Sequence, residues 1–308
     1  MTAERITGSE EIALAPGLYL VATPIGNLGD ITLRALDVLR RVDWIACEDT
    51  RQTQKLLNHF QIATPTVSCH EHNERQRAAE LVEAMKAGTR IALVTDAGMP
   101  GVSDPGSWLT AAAIAAGVPV IPIPGASAAL SALVASGLPT DGFCFLGFLP
   151  EKAGARRSRL EELASTASTL RTAQTLVLYE APHRILATLA DLEAAWGPKT
   201  RVVVARELTK IHEEFLRGTV AEVRREMAAR DRIRGEITLL VEMAGQAGAS
   251  TAAHEAASAP QRITGRIAQL QSENGIDEKE ALKLLARELG RSKSEIYREL
   301  QRERAKRR

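Results

Sequence analysis

The stretch Ile91–Gly106, IALVTDAGMPGVSDPG, decides the fold. Its first four residues, Ile91 to Val94, are all apolar and read as a short buried strand. Thr95-Asp96-Ala97-Gly98 then stops that strand with turn residues. The loop carries three glycines (Gly98, Gly101, Gly106), two prolines (Pro100, Pro105) and two aspartates. Glycines let backbone N–H and C=O groups come close to a ligand, and prolines fix the shape in which they do so. From Trp108 the chain continues as an apolar helix. The loop therefore lies where a parallel strand hands over to a helix, the place at which open α/β sheets hold ligands. A plain connection of this kind takes about 2–6 residues, so the extra length points to a binding role.

The whole chain has 308 residues, more than one average domain, with 25% charged and 45% hydrophobic residues, ordinary for a protein with a proper core. Residues 1–16 lack the apolar run of a signal peptide. The longest apolar runs are Ala-rich and broken by Gly, Pro or Ser, so no membrane span is expected. Cys47, Cys69 and Cys144 follow no Cys-x-x-Cys spacing, which fits a reducing cytoplasm. The net charge of +1 hides an asymmetry: residues 1–149 sum to −5, residues 150–240 to +3 and residues 241–308 to +3. A polyanion would be met by the later parts of the chain, although a solvated tail also accounts for the final Arg302, Arg304, Lys306, Arg307 and Arg308.

Strands and helices alternate on both sides of the central stretch. Leu18–Ala22 is a first strand, followed by the loop Thr23–Asp30 and the helix Ile31–Arg41, capped by Asp30 or Thr32. This loop matches neither of the glycine-rich phosphate patterns GxGxxG and GxxxxGK[ST], and it has no lysine. Strand Val42–Cys47 ends in Glu48-Asp49-Thr50-Arg51, with Thr50 a sufficient cap for the helix Arg51–Phe60. Cys69-His70-Glu71-His72 lacks a second ligand pair at zinc-like spacing and reads as the start of helix Asn73–Lys86, so no metal is expected. Strand Val118–Ile123 runs into Pro124–Ala129, whose small residues allow close backbone approach at the head of helix Ser127–Ser136. The second half places strands at Phe143–Leu146, Thr175–Tyr179, Arg201–Ala205, Glu213–Thr219 and Glu236–Met243. Helices fall at Ala155–Ala164, Pro182–Trp196 and Val220–Ala229, and the last strands are expected to be antiparallel.

These patterns divide the chain into an N-terminal tail (1–17), two α/β domains (18–137 and 138–243), an Ala/Gly/Ser-rich linker (244–260) and a helical tail domain (261–308). In the last, Glu280–Tyr297, with Gly290 in its turn and Ser292 as a cap, has helix-turn-helix proportions. The Gly/Pro loops contain few cations, so a phosphate-rich nucleotide is a poor match. A ligand with an adenine, a ribose and an amino-acid end fits better, as in S-adenosylmethionine, while other small nucleosides stay open.

Seven motifs in order, LYLVATPIGNLGDITLRAL, CEDTR, VTDAGMPGVSDPG, PGASAALSAL, GFLP, LYEAPHR and VARELTKIHEEFLRG, resemble the tetrapyrrole-methylase-like class of methyltransferases, and within it the bacterial ribosomal RNA branch. The resemblance runs from about Leu18 to Met243 and extends to the C-terminal helices. It implies a two-domain α/β homodimer with S-adenosylmethionine in a cleft between the domains. It also implies 2′-O-methylation of a cytidine ribose in the decoding region of 16S rRNA, within the small ribosomal subunit. Carried over residue by residue, the donor contacts are Pro24, Gly26, Asp96, Gly98, Met99, Val102, Ser127, Ala128 and Tyr179. One departure stands out: Gly98-Met99-Pro100 occupies the place where tetrapyrrole-modifying relatives have Gly-Asp-Pro.

Methyl transfer from a sulfonium rests mainly on alignment and exclusion of water, with a base or a cation to help a ribose hydroxyl react. The candidates are Glu48, Asp49, Glu180, His183, Arg206, Glu207 and Lys210, with Arg51, Arg184 and Lys210 as phosphate contacts; internal ion pairing is the competing role for each. Two other functions stay open, a methylase acting on a tetrapyrrole and a nucleic-acid-binding regulator that senses a nucleoside.

Overall fold

Strand β4 (Arg90–Val94) lies between β1 (Gly17–Val21) and β2 (Trp44–Cys47) in the first of two sheets of the computed structural model. The structure describes residues 14–70, 73–167, 170, 172 and 174–243, and toward the C-terminus 267, 270–271, 276–288, 293, 295–298 and 300. The first sheet is completed by β3 (Thr66–Ser68) and β5 (Val120–Ile123), in the order β3-β2-β4-β1-β5, with every pair parallel. Its unbroken apolar runs follow from burial on both faces. Ile91 and Leu93 of β4 pack with α3 (Glu74–Lys86) and α4 (Ser107–Ala115), while Ala92 and Val94 pack with α1 (Leu33–Arg41) and α2 (Thr50–His59). Among the candidate caps, Thr32 accepts the N–H of Ala35 at the head of α1. Helix α2 begins one residue before its expected start, so Asp49, not Thr50, is its cap and accepts the N–H of Arg51.

The second sheet has the order β6-β7-β10-β8-β9, built from β6 (Phe143–Phe148), β7 (Gln174–Glu180), β8 (Arg201–Arg206), β9 (Glu214–Thr219) and β10 (Ile237–Met243). Strands β6 and β7 are parallel; the other three pairings are antiparallel. One face carries α6 (Ala153–Ala167), α7 (Ile185–Trp196) and α8 (Val220–Ala228), whose leucines, valines and Met227 form the largest apolar cluster with the strands. The opposite face receives α5 (Ala128–Ser136), which follows the first sheet in sequence: Ala129, Ala132 and Leu133 pack on Val177, Val203, Ala205 and Leu240. Arg217 of β9 donates to the carbonyls of Ala135 and Ser136, placing a cation at the negative end of α5. The α5 seam thus fixes the loops of the first sheet against the edge of the second.

By their contacts, residues fall into two units, Met1–Gly245 and Gln246–Arg308. In the second unit, α9 (Glu278–Glu288) packs Ala281, Leu282, Leu285 and Ala286 with Ile267, Leu270, Ile296 and Leu300, and Asp277 caps it through the N–H of Glu280. Gly290, Ser292 and the 244–260 linker lie outside the described residues, as do Glu71 and His72. Among the described residues no helix is long and apolar enough to cross a membrane.

Candidate active site

A cavity of about 360 Å³ opens where the loops after β1, β4 and β5 meet strands β7, β8 and β10. Among the described residues its walls carry the carboxyl groups of Asp104, Glu180 and Glu236, and no lysine or arginine. The rest is largely apolar, including Ile25, Met99, Val102, Leu208 and Tyr179. Tyr179 meets Phe145 and Phe148 edge-on, at ring-centre distances of 5.0 and 5.7 Å. Burial pushes its phenol up, against a hydrogen bond with the backbone of Ala129. Burial, reinforced by the charges of Glu48 and Asp96, pushes the carboxyl of Asp104 up to about 6.

The loop that supplies Met99, Val102 and Asp104 is fastened at both ends. At its start Gly98 exchanges two backbone hydrogen bonds with Thr23 (2.9 and 3.1 Å), and the Thr23 hydroxyl donates to the carbonyl of Thr95 at 3.0 Å. At its end the buried carboxylate of Glu74 accepts three N–H groups, from Gly106 (3.1 Å), Trp108 (2.9 Å) and Leu109 (3.0 Å). Those are the donors that the head of α4 would otherwise leave without partners. Gly106 has no room for a side chain, since an added Cβ would stand 2.8 Å from Leu93 Cδ2.

A second cavity, of about 450 Å³, adjoins the first and shares Ile25, Ala97 and Glu236 with it. Its lining includes Thr23, Pro24, Gly26, Lys55, Asp96 and Lys210. The Lys210 ammonium lies 2.9 Å from Glu207 Oε1 and 2.9 Å from Glu236 Oε2. Burial works against its charge, but the two glutamates outweigh that and hold it above the usual lysine range. Its stem lies over Gly26, where an added Cβ would come 2.5 Å from Lys210 Cγ. The strand end that carries Lys210 is bent: Glu207 and Thr209 take φ values of +52° and +66°, unusual for residues with a Cβ. Lys210, the backbone N–H of Glu236 bonded to Glu207, and Glu213 bonded to the N–H of Thr209 hold that shape.

The residues expected to hold the methyl donor thus divide between the cavities. Gly98, Met99, Val102, Ser127, Ala128 and Tyr179 line the first; Pro24, Gly26 and Asp96 line the second. Burial raises Asp96's carboxyl, a backbone hydrogen bond from Asp49 opposes this, and the Asp49 charge adds to it. Of the candidate catalytic groups, Glu180 lines the first cavity and Lys210 the second, whereas Glu48, Asp49, His183 and Arg206 line neither. Glu180 is buried and accepts from Thr188 and from the N–H of Ala181. Arg184, considered above as a phosphate contact, donates to the carbonyls of Leu149 and Pro150 and pairs with Glu180 at 3.2 Å. Arg206 braces Glu214, whose carboxyl Arg230 and Arg206 hold down at about 2. Arg51 is exposed and paired with Asp49. Glu236 and the Glu74 clamp were not among the expected residues. Glu236 opens an antiparallel strand, which brings it to the same edge as the ends of β7 and β8: its neighbour Ile237 pairs with both Glu180 and Arg206.

Residues 17–224 match the family model described as Tetrapyrrole (Corrin/Porphyrin) Methylases. The chain is 48% identical over 281 residues to "Ribosomal RNA small subunit methyltransferase I" of Halalkalibacterium halodurans, covering 91% of this chain and 93% of that protein. It is 56% identical over 203 residues to the protein of the same name from Synechocystis sp., covering 66% and 71%. Among solved structures, the uroporphyrin-III C-methyl transferase from Thermus thermophilus complexed with S-adenyl homocysteine aligns with a TM-score of 0.50 and 20% identity, over 73% of this chain and 96% of that one. The chain belongs to the tetrapyrrole (corrin/porphyrin) methylase family, in the group whose members are called ribosomal RNA small subunit methyltransferase I.

Proposed function

We propose that the protein transfers a methyl group from S-adenosylmethionine to the 2′-hydroxyl of a cytidine ribose in the decoding region of 16S rRNA, in the cytoplasm and on the small ribosomal subunit. The observation that carries this reading is the first cavity. The carboxyl groups of Asp104 and Glu180, with no lysine or arginine among the described lining residues and with the Glu236 charge already met by Lys210, suit a ligand bearing positive charge and no phosphate, and the apolar wall beside Tyr179 suits a flat base. The names of the relatives support RNA as the acceptor. When bound, S-adenosylmethionine supplies a methyl group made electrophilic by its sulfonium. The protein's own residues align and enclose: the loop pinned by Thr23 and Glu74 presents Met99, Val102 and Asp104, and α5 presents Ser127 and Ala128. The adjoining second cavity, with Lys55 and Lys210 on its walls, is the seat for the acceptor nucleotide, so that Pro24, Gly26 and Asp96, expected as donor contacts, face the acceptor side in this reading. Action as a homodimer is supported by Leu130 and Val134, one turn apart on α5 and 51% and 75% exposed, an apolar surface that a second copy would cover.

The test uses a tritium-labelled methyl donor and small subunits from cells lacking this protein. Alkaline hydrolysis of the labelled RNA should leave the tritium in an alkali-resistant dinucleotide, because a 2′-O-methyl group blocks cleavage at that linkage. Label confined to ordinary mononucleotides, or accepted only by a tetrapyrrole, would refute the reading.

Asp104 gives the donor site a pH dependence. Its carboxyl, facing Glu48, Asp96 and Tyr179, is neutral below about 6 in the free protein. A cation bound nearby favours the ionised form, so binding expels a proton. Donor affinity is therefore expected to be level above pH 7 and to weaken as pH falls through about 6, with a limiting slope of about tenfold per pH unit. Calorimetry between pH 5 and 8 measures it; a flat profile would show that Asp104 does not sense the ligand's charge.

A further inference from the structure

Two cavities that meet at a shared wall place a donor and an acceptor side by side, so the chemistry must occur at that wall. Three described residues line both: Ile25, Ala97 and Glu236. Glu236 alone among them has an ionisable side chain. We infer that Glu236 takes the proton from the acceptor hydroxyl during methyl transfer. The inference rests on the proposed function and names the group that performs its proton step.

The geometry separates Glu236 from the other acidic groups nearby. On the first cavity, Glu180 is 2% exposed and held by Thr188, the N–H of Ala181 and Arg184. Asp104, on the same wall, does not reach the second cavity. On the second, Asp96 does not line the first, and Glu207 is drawn inward between Lys210 and the N–H of Glu236. The side chain of Glu236 is 74% exposed, which gives an incoming hydroxyl access to it. Lys210 holds Oε2 at 2.9 Å, fixing the carboxylate at the junction while Oε1 remains to receive a proton. The position of the Glu236 Cα is fixed by two hydrogen bonds: its carbonyl accepts the backbone N–H of Glu207, and its own N–H donates to the Glu207 carboxylate.

The step balances as follows. The acceptor oxygen forms its bond to the methyl carbon as its O–H bond breaks, and the proton passes to Glu236. The electron pair of the carbon–sulfur bond stays with sulfur, which departs as a neutral thioether. Glu236 then returns the proton to water.

Glu236→Gln keeps the size of the side chain and its bond from Lys210 but cannot accept the proton. Three measurements are made on the full-length protein: donor affinity by calorimetry, thermal stability, and single-turnover methylation of small subunits with both partners saturating. The expected result is donor affinity within twofold of the parent, an unchanged melting temperature, and a methylation rate reduced at least a hundredfold. Glu236→Asp should recover part of the rate. Methylation by Glu236→Gln within a fewfold of the parent would overturn the inference alone. A rate loss matched by an equal loss of donor affinity would overturn it as well, assigning Glu236 to donor binding. Absence of RNA methylation by the parent protein would overturn both the inference and the function on which it rests.

Discussion

Replacing Gly98 with valine lowers donor affinity by about a hundredfold, roughly 2.7 kcal/mol, and leaves the protein folded. Gly98 adopts a φ of +87°, a conformation in which an L side chain is strained by about 1–3 kcal/mol. The space itself is adequate for a Cβ, 3.5 Å from Ile25 Cγ2 and 3.8 Å from the Ala126 carbonyl. A valine adds two methyl groups beyond that point, toward Ile25 on the cavity wall or toward Ala126 at the head of α5. Relief by rotating the peptide would break the paired hydrogen bonds with Thr23 and shift Ala97 and Met99. Either way the cavity changes while the two cores behind it do not. Gly98→Ala, with the strain but without the bulk, should lose about tenfold. Calorimetry with a parallel melting curve measures both variants, and normal affinity in Gly98→Val would count against the assigned donor site.

The second large effect is expected from Lys210→Met, in turnover and not in donor binding. Methionine keeps much of the stem that covers Gly26 and removes the charge between Glu207 and Glu236. The two carboxylates then repel each other, and the bend that depends on positive φ at Glu207 and Thr209 loses its central tie. A displacement of reacting groups by about 1 Å is enough for a loss of about a hundredfold in rate, and that is the expected loss in kcat, with donor affinity unchanged within twofold. Because its two partners hold Lys210 in the ammonium form, it serves as a cation and not as a base. If Lys210 instead contacts an RNA phosphate, the variant would show normal kcat, a raised KM for RNA and a salt dependence reduced by about one ion. Single-turnover rates at several salt concentrations separate the two outcomes.

How much of this could be read from the residues depends on the range of the interaction. The strands of the first sheet stood out because burial on both faces makes their sequences continuously apolar, as in Ile91–Val94. The edge strand Thr66–Ser68 did not, being three half-buried residues with a partner on one side only. Strand β6 ran past its expected end because an irregular register between Phe145 and Gly147 carries it to Phe148. The glycine- and proline-rich loops were visible because they act through local backbone geometry. Glu74, Asp104 and Glu236 draw their properties from segments distant in sequence, such as the contact of Glu74 with Gly106, so no spacing rule marks them. By charge Arg184 looked available for phosphate and Arg206 for catalysis, but each is engaged by backbone carbonyl oxygen and a nearby carboxylate.

The carboxylate of Glu74 has a consequence for the order of events. It holds the head of α4 and the end of the preceding loop in place from within the protein, and Thr23 secures the other end in the same way. On the proposed function, the donor is therefore expected to find a finished receptacle and to load without waiting for the RNA, so its affinity should be the same in the presence and absence of RNA.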